Sequence, residues 1–216
     1  MLHVVTHMQV LGATRAGKTV YVNELHRKWP GVSIYCDPKG QDPLWGLRIR
    51  DLGRLTSALM HSQKIVWEPP RTAIGGIDWS VASSQLVRLW GRIQVLSRRK
   101  PQTQPSVQLI FDELGKWAQD DDVEQVLEDI AERGLGLGAR LVGCAQHPAT
   151  LGTHMRNNLL TRVLYALGDE GERCIRNWGW PVQQLQPWIA KPYHFASYER
   201  SLGWRLHNPR PTAVLR

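Results

Sequence analysis

Gly12-Ala13-Thr14-Arg15-Ala16-Gly17-Lys18-Thr19 is the stretch on which the fold turns, since it matches G-x-x-x-x-G-K-[ST] residue for residue. The apolar run Val4 to Leu11 leads into it and a helix-compatible segment, Val20 to Lys28, leads out. A strand, a glycine-bounded loop and a helix in that order form a cradle for phosphate. The glycines let the backbone turn tightly and aim its N–H groups inward, and the helix N-terminus adds its positive end. Lys18 is the residue type that neutralises the β and γ phosphates, and the Thr19 hydroxyl is the type that ligates Mg²⁺.

Further out, short runs rich in Val and Ile recur at Val32 to Cys36, Lys64 to Trp67, Val107 to Phe111, Arg140 to Ala145 and Arg162 to Leu167. Several lack polar alternation and read as strands buried on both faces, the form taken by parallel strands between helix layers. Helical patterns separate some of them. Ala82, Leu86, Leu89, Ile93 and Leu96 form one stripe of a helix predicted over Asp78 to Arg99, which Pro101 and Pro105 end. A second helix is predicted over Asp122 to Arg133, with its acidic residues at the N-terminal end. Near the C-terminus, His194 to Tyr198 and Trp204 to His207 flank Arg200-Ser201-Leu202-Gly203 as a hairpin, and Asn208 to Arg216 reads as a basic tail. The pattern is α/β, in one domain: a core over about residues 4–170, then a C-terminal helix, hairpin and tail.

Two strand ends carry further chemistry. Val107 to Phe111 runs into Asp112-Glu113, where Asp112 suits the Mg²⁺ shell, through water, and Glu113 suits polarisation of a water. The run Arg140 to Ala145 ends at Gln146, an amide placed to orient that water or report the γ-phosphate. A carboxylate adjacent to the metal-binding one favours hydrolysis over transfer to a small-molecule hydroxyl.

Composition narrows the class. The 216 residues are 42% hydrophobic and 21% charged, which excludes disordered, collagen-like and coiled-coil chains. Net charge is +8, and 20 of the 27 cations are Arg, a composition suited to a polyanionic partner. Cys36, Cys144 and Cys174 lack C-x-x-C spacing, so a disulfide framework and a zinc ribbon are both disfavoured. His147 and His154 have no Cys or carboxylate completing a metal set. No stretch reaches the length of a membrane span and the N-terminus lacks a signal pattern, so a soluble, unsecreted protein is expected. Ten tryptophans stand against two phenylalanines, most of them expected as core or interface anchors.

The order of motifs resembles the FtsK-HerA superfamily of P-loop ATPases. The resemblance rests on Gly12 to Thr19, Asp37-Pro38-Lys39-Gly40, Asp112-Glu113, the run Gly138 to Pro148 and the segment Met155 to Val163. It covers roughly residues 5–170. Ala145 stands where the family usually has Thr, and His147 where cellular members often have Arg. At this size the chain is most similar to the genome-packaging ATPases of icosahedral, internal-membrane DNA viruses. That resemblance implies a RecA-like three-layer sandwich with a mostly parallel sheet, ATP and Mg²⁺ as ligands, and a homo-oligomeric ring, hexamer or pentamer, around double-stranded DNA. It also implies a capsid or portal-vertex partner, and a place in the host cytoplasm and the virion.

An inter-subunit site needs a cation that reaches the neighbour's γ-phosphate. The resemblance favours Arg133, with Arg140 and Arg162 as alternatives. For DNA, Arg88, Arg92 and Arg99 share a helical stripe beside Arg98 and Lys100, and the loop His147 to Asn158 is the other candidate. Two other readings stay open: a nucleotide or small-molecule kinase, against which Glu113 and Gln146 count, and a non-enzymatic ATP-dependent switch.

Overall fold

The computed structural model describes residues 5–40, 44–99 and 104–209, with the side chains of Arg98 and Arg99 left out. Val4, the two side chains just named, Lys100, Pro101 and the tail beyond Pro209 lie outside the described residues.

Parallel strands covered on both faces alternate their side chains between two helix layers. The seven parallel strands are β1 (Met8–Leu11), β2 (Val32–Cys36), β3 (Leu47–Ile49), β4 (Lys64–Trp67), β5 (Val107–Phe111), β6 (Ala139–Ala145) and β7 (Thr161–Leu164). Two antiparallel strands, β8 (Phe195–Glu199) and β9 (Gly203–His207), complete a nine-stranded sheet in the order β3-β4-β2-β5-β6-β1-β7-β8-β9. Met8 and Val10, with Tyr35, Ile110 and Val142, point to the face covered by α1 (Lys18–Lys28), which contributes Tyr21 and Val22. Leu11, Ile34, Cys36, Leu109 and Phe111 point the other way, into a larger core. That core is covered by α2 (Leu55–Leu59), α3 (Trp79–Arg99), α5 (Asp121–Arg133), α7 (Asp169–Asn177) and α8 (Val182–Ile189). Two short helices, α4 (Leu114–Trp117) and α6 (Thr153–Asn158), follow β5 and precede β7. The fold is the expected α/β three-layer sandwich with a mostly parallel sheet.

The predicted hairpin is present, and it extends the central sheet instead of standing apart: Arg162, Val163 and Leu164 of β7 pair with Tyr198, Ser197 and Ala196 of β8. Strand β1 starts four residues later than its apolar run suggests. Strand β3 was not expected; it spans three residues, with Leu47 and Arg48 exposed, and carries no strand pattern. On α3 the stripe from Ala82 to Ile93 is buried as predicted, but Leu96 is 63% exposed. Ser97 continues the buried row in its place. Helix α5 is capped by Asp120, whose carboxylate accepts from Val123 N at 3.2 Å, and Asp121, Asp122 and Glu124 sit in its first turn, where the helix dipole favours them.

Trp67 and Trp117 are fully buried, their rings 5.5 Å apart, with Trp79 and Phe111 edge-on to Trp117. A second group, Trp178, Trp180 and Trp204, packs under the C-terminal hairpin.

A buried polar ribbon crosses four adjacent strands. His26 Nδ1 pairs with Ser33 Oγ at 2.7 Å, Gln108 Nε2 donates to the same hydroxyl at 3.1 Å, Arg140 donates to Gln108 Oε1 at 3.2 Å, and Arg140 Nε donates to Thr6 O at 2.8 Å. Ser33 and Gln108 are register partners between β2 and β5, and Gln108 and Arg140 between β5 and β6.

Candidate nucleotide site

The phosphate loop leaves β1 at Leu11 and enters α1 at Lys18. Gly17 holds φ 108° at the helix start, a conformation open to glycine at little cost, and Arg15 holds φ 63°. At Gly12 a Cβ would stand 2.6 Å from the Cβ of Tyr165, so that position admits nothing larger. Lys18 is buried and folds over the loop, donating to Gly12 O at 2.6 Å and Ala13 O at 2.8 Å. Burial pushes its ammonium below the usual lysine value.

Parallel pairing brings the other groups to the same sheet edge. Cys36 pairs with Phe111 and Phe111 with Gly143, so the chain leaves β2 and β5 side by side at Asp37 and Asp112, while β6 runs two residues further, level with Leu11 at Ala145, and releases Gln146 beside the phosphate loop. From there a continuous set of contacts returns to the loop. Gln146 Nε2 donates to Glu113 Oε1 at 2.7 Å, and Gln146 Oε1 accepts from Thr14 Oγ1 at 2.8 Å. Glu113 has φ 50°, a strained left-handed backbone that sits at the start of α4.

Two lysines bear on these carboxylates: Lys39 comes from the turn after the neighbouring strand β2, and Lys116 stands three residues on from Glu113. Lys39 Nζ lies 2.9 Å from Glu113 Oε1 and 3.9 Å from Asp112 Oδ2. Lys116 Nζ lies 2.5 Å from Glu113 Oε2. Asp37 Oδ1 accepts from the backbone N–H groups of Lys39 and Gly40 at 3.0 Å each, which fixes the turn that presents Lys39. Burial raises Asp112 above the ordinary carboxylate value, against the pull of Lys39. Burial also acts to raise Glu113, but Lys116 and Lys39 outweigh it and hold that carboxyl below its ordinary value. Asp112 Oδ2 is buried without a hydrogen-bond partner, an acceptor left over in a site rich in cations. With the Thr19 hydroxyl in the first turn of α1, this donor set fits a hard, oxygen-seeking cation such as Mg²⁺.

The three arginines weighed for an inter-subunit role stand in different surroundings. Arg140 is 9% exposed, spent on Thr6 O and Gln108, and its guanidinium lies 5.6 Å from the Trp29 ring. It is a core residue, which removes it as an alternative. Arg162 is half-buried, with its guanidinium 4.7 Å from the Trp180 ring and 5.0 Å from Tyr198. Arg133 ends α5, exposed and paired with Asp129, which also accepts from Trp90 Nε1 at 2.5 Å and Gln94 Nε2 at 3.0 Å. Since α5 runs from the carboxyl ends of the strands to their amino ends, Arg133 lies at the opposite end of the sheet from its own phosphate loop. Arg88 and Arg92 are exposed on α3. In the loop after Gln146, His147 is exposed, His154 pairs with Glu132 at 2.8 Å, and Arg156 stacks 4.7 Å over Trp178.

A strand, a glycine-bounded loop on a helix N-terminus, and an acidic pair ending the strand two places away define the class: this is the fold of a P-loop ATPase domain. No protein-family model matches the chain, and no curated protein sequence matches it. Solved structures do. The genome-packaging NTPase B204 of Sulfolobus turreted icosahedral virus 2, in complex with AMPPCP, aligns with a TM-score of 0.65 at 17% identity over 95% of this chain and 98% of that one. Its complex with sulfate gives 0.67 at 16% identity, over 97% and 98%. EccC (ATPases 2 and 3) of Thermomonospora curvata, in complex with a signal sequence peptide, aligns with a TM-score of 0.58 at 13% identity, over 93% of this chain and 36% of that one.

Proposed function

We propose that this chain is an ATP-hydrolysing motor that moves double-stranded DNA, a viral genome-packaging ATPase acting as a homo-oligomeric ring, hexamer or pentamer. The observation that carries the reading is the hydrogen-bonded path Thr14–Gln146–Glu113, which ties the phosphate loop to Glu113, the carboxylate this reading assigns to activating water. Likeness in fold to a packaging NTPase over nearly the whole of both chains supports the choice within the ATPases.

In this reading the residues Gly12 to Thr19 wrap the phosphates, and Lys18 exchanges the carbonyls of Gly12 and Ala13 for phosphate oxygens. Thr19, and Asp112 through water, would hold Mg²⁺, and the ion would supply charge neutralisation to the phosphates. Glu113 takes the proton of the attacking water, and Gln146 keeps that carboxylate aimed at it while its carbonyl oxygen registers the loop through Thr14. Arg133, exposed at the end of α5, is assigned here to a neighbour's γ-phosphate, which it would reach after leaving Asp129. Arg88 and Arg92, with the exposed part of the loop 147–158, contact DNA phosphates without base preference. A capsid or portal-vertex protein is the docking partner, and the protein works in the host cytoplasm and the virion.

The test is steady-state ATP hydrolysis with and without double-stranded DNA, at low and moderate salt, with Glu113→Gln as the blank. Stimulation that fades with salt is expected. Hydrolysis indifferent to DNA would reject the coupling and favour the switch reading. Mixing Arg133→Ala with Lys18→Ala subunits should restore part of the activity that each lacks alone; no recovery, with nucleotide binding intact, would remove the trans role of Arg133.

A further inference from the structure

The reacting groups all lie on one side of the phosphate loop. Glu113 and Gln146 follow β5 and β6, which are stacked on one flank of β1. A nucleotide whose terminal phosphate meets them must carry its base past the start of α1 toward the other flank, where β7 and β8 lie. That flank is aromatic. Tyr165, directly after β7, is buried and stacks on Phe195 at 5.1 Å. Tyr193, two residues before β8, is 59% exposed. Both rings reach the loop: a Cβ on Gly17 would stand 3.3 Å from Tyr165 Cε1 and 3.3 Å from Tyr193 Cδ1.

The backbone at Tyr193 marks it out. His194 N donates to Lys191 O at 3.1 Å, closing a turn with Pro192 at its second position and Tyr193 at its third, where φ is 60°. That third position, after proline and with positive φ, is one that turns ordinarily give to glycine or asparagine. An exposed aromatic there gains nothing from core packing, and strain at such a position points to a use for the side chain. The turn is also held from outside: His194 packs edge-on against Trp188 at 4.9 Å, Lys191 Nζ sits 4.7 Å over the same ring, and Trp188 Nε1 donates to His207 O at 3.0 Å. A strained, pinned turn thus presents a ring at the rim of the loop.

We infer that Tyr193 is the nucleobase platform of the site, stacking on the base of a nucleoside triphosphate whose phosphates occupy Gly12 to Thr19. This rests on the reading of that loop as a nucleotide site. Stacking of a base on an aromatic side chain is lost on truncation with a cost equal to roughly tenfold in affinity or more. The test is calorimetric binding of ATP and of inorganic tripolyphosphate, which carries the charge and no base, to the wild type, Tyr193→Gly and Tyr193→Phe. Glycine suits the turn better than tyrosine, so Tyr193→Gly should melt no lower than wild type. It should bind ATP about tenfold more weakly and tripolyphosphate unchanged, while Tyr193→Phe binds both as wild type does. Unchanged ATP affinity in Tyr193→Gly would overturn the inference, as would equal weakening for both ligands, which would assign the ring to shaping the loop. A wild-type protein that binds ATP no better than tripolyphosphate would also overturn it and leave the phosphate site standing. Binding of neither would remove the site itself.

Discussion

The two flanks of β1 are built from opposite materials. Toward β5 and β6 the phosphate loop meets Lys39, Asp112, Glu113 and Gln146, joined by ion pairs and hydrogen bonds. Toward β7 and β8 it meets Tyr165, Tyr193 and Phe195, and Phe195 in turn stacks on His207 at 4.5 Å. The first flank holds charge close to where a γ-phosphate would react, at the expense of desolvating it. The second buries aromatic area, and none of its three rings carries a charge to desolvate. Chemistry and stability are therefore separable across one strand, and substitutions on the two flanks should have different signatures.

The largest effect belongs to the polar flank. Glu113→Gln should lower turnover about 10²–10⁴-fold with ATP still bound, because it removes a general base and keeps the shape. Turnover within tenfold of wild type would move the base elsewhere. On the aromatic flank, Phe195→Ala should cost about 3–5 kcal/mol of folding stability in urea. The hydrolysis rate per folded molecule should change little, and a collapse of that rate in protein shown to be folded would erase the distinction.

Acid sensitivity belongs to neither flank. His7 and His26 are buried, and burial lowers both to about 4, with Arg140 adding to the effect on His7 and Lys64 on His26. Below pH 6.5 the unfolded chain takes up protons that the folded chain refuses until about pH 4, so stability is full above 6.5 and falls as pH drops. Between pH 7.5 and 5 the loss should be roughly 2 kcal/mol per histidine. Urea unfolding at the two pH values measures it, and a loss that begins only below pH 4 would assign the sensitivity to carboxylates instead. The smallest effect is on the charged flank again. Lys39→Ala removes a cation that holds Glu113 down, so the acid limb of the pH–rate profile should move toward neutrality. An unmoved limb would mean that Lys116 alone sets the Glu113 charge.

What was legible in the sequence follows the same division. The phosphate loop and the Asp112-Glu113 strand end are local: their residue types are dictated by a turn, a helix start and an apolar strand, all readable within ten residues. The pairing of Lys39 with Glu113 is not local, because it exists only through the register that sets Cys36 beside Phe111. Arg140 reads in sequence as a candidate for the inter-subunit role because its burial is not local: its partners are Thr6, just before β1, and Gln108 of β5. Leu96 completes an apolar stripe on paper, yet the core ends one residue round the helix at Ser97. Tyr193 was invisible for the reverse reason: it occupies a turn position against the local preference, and no pattern announces an exception.

The polar ribbon from His26 to Thr6 also bears on how the chain finds this arrangement. Apolar strands of similar length are nearly interchangeable, so burial alone does little to stop β2, β5, β6 and β1 from sorting in a wrong order. The ribbon makes the orders unequal. Only with β5 between β2 and β6, and β6 beside β1, does each buried donor find its acceptor; any transposition leaves a guanidinium or an amide stranded in the core. It acts as a proofreading code for assembly. It also makes Ser33, Gln108 and Arg140 interdependent, since replacing any one by an apolar residue leaves a buried polar group of its neighbour without a partner.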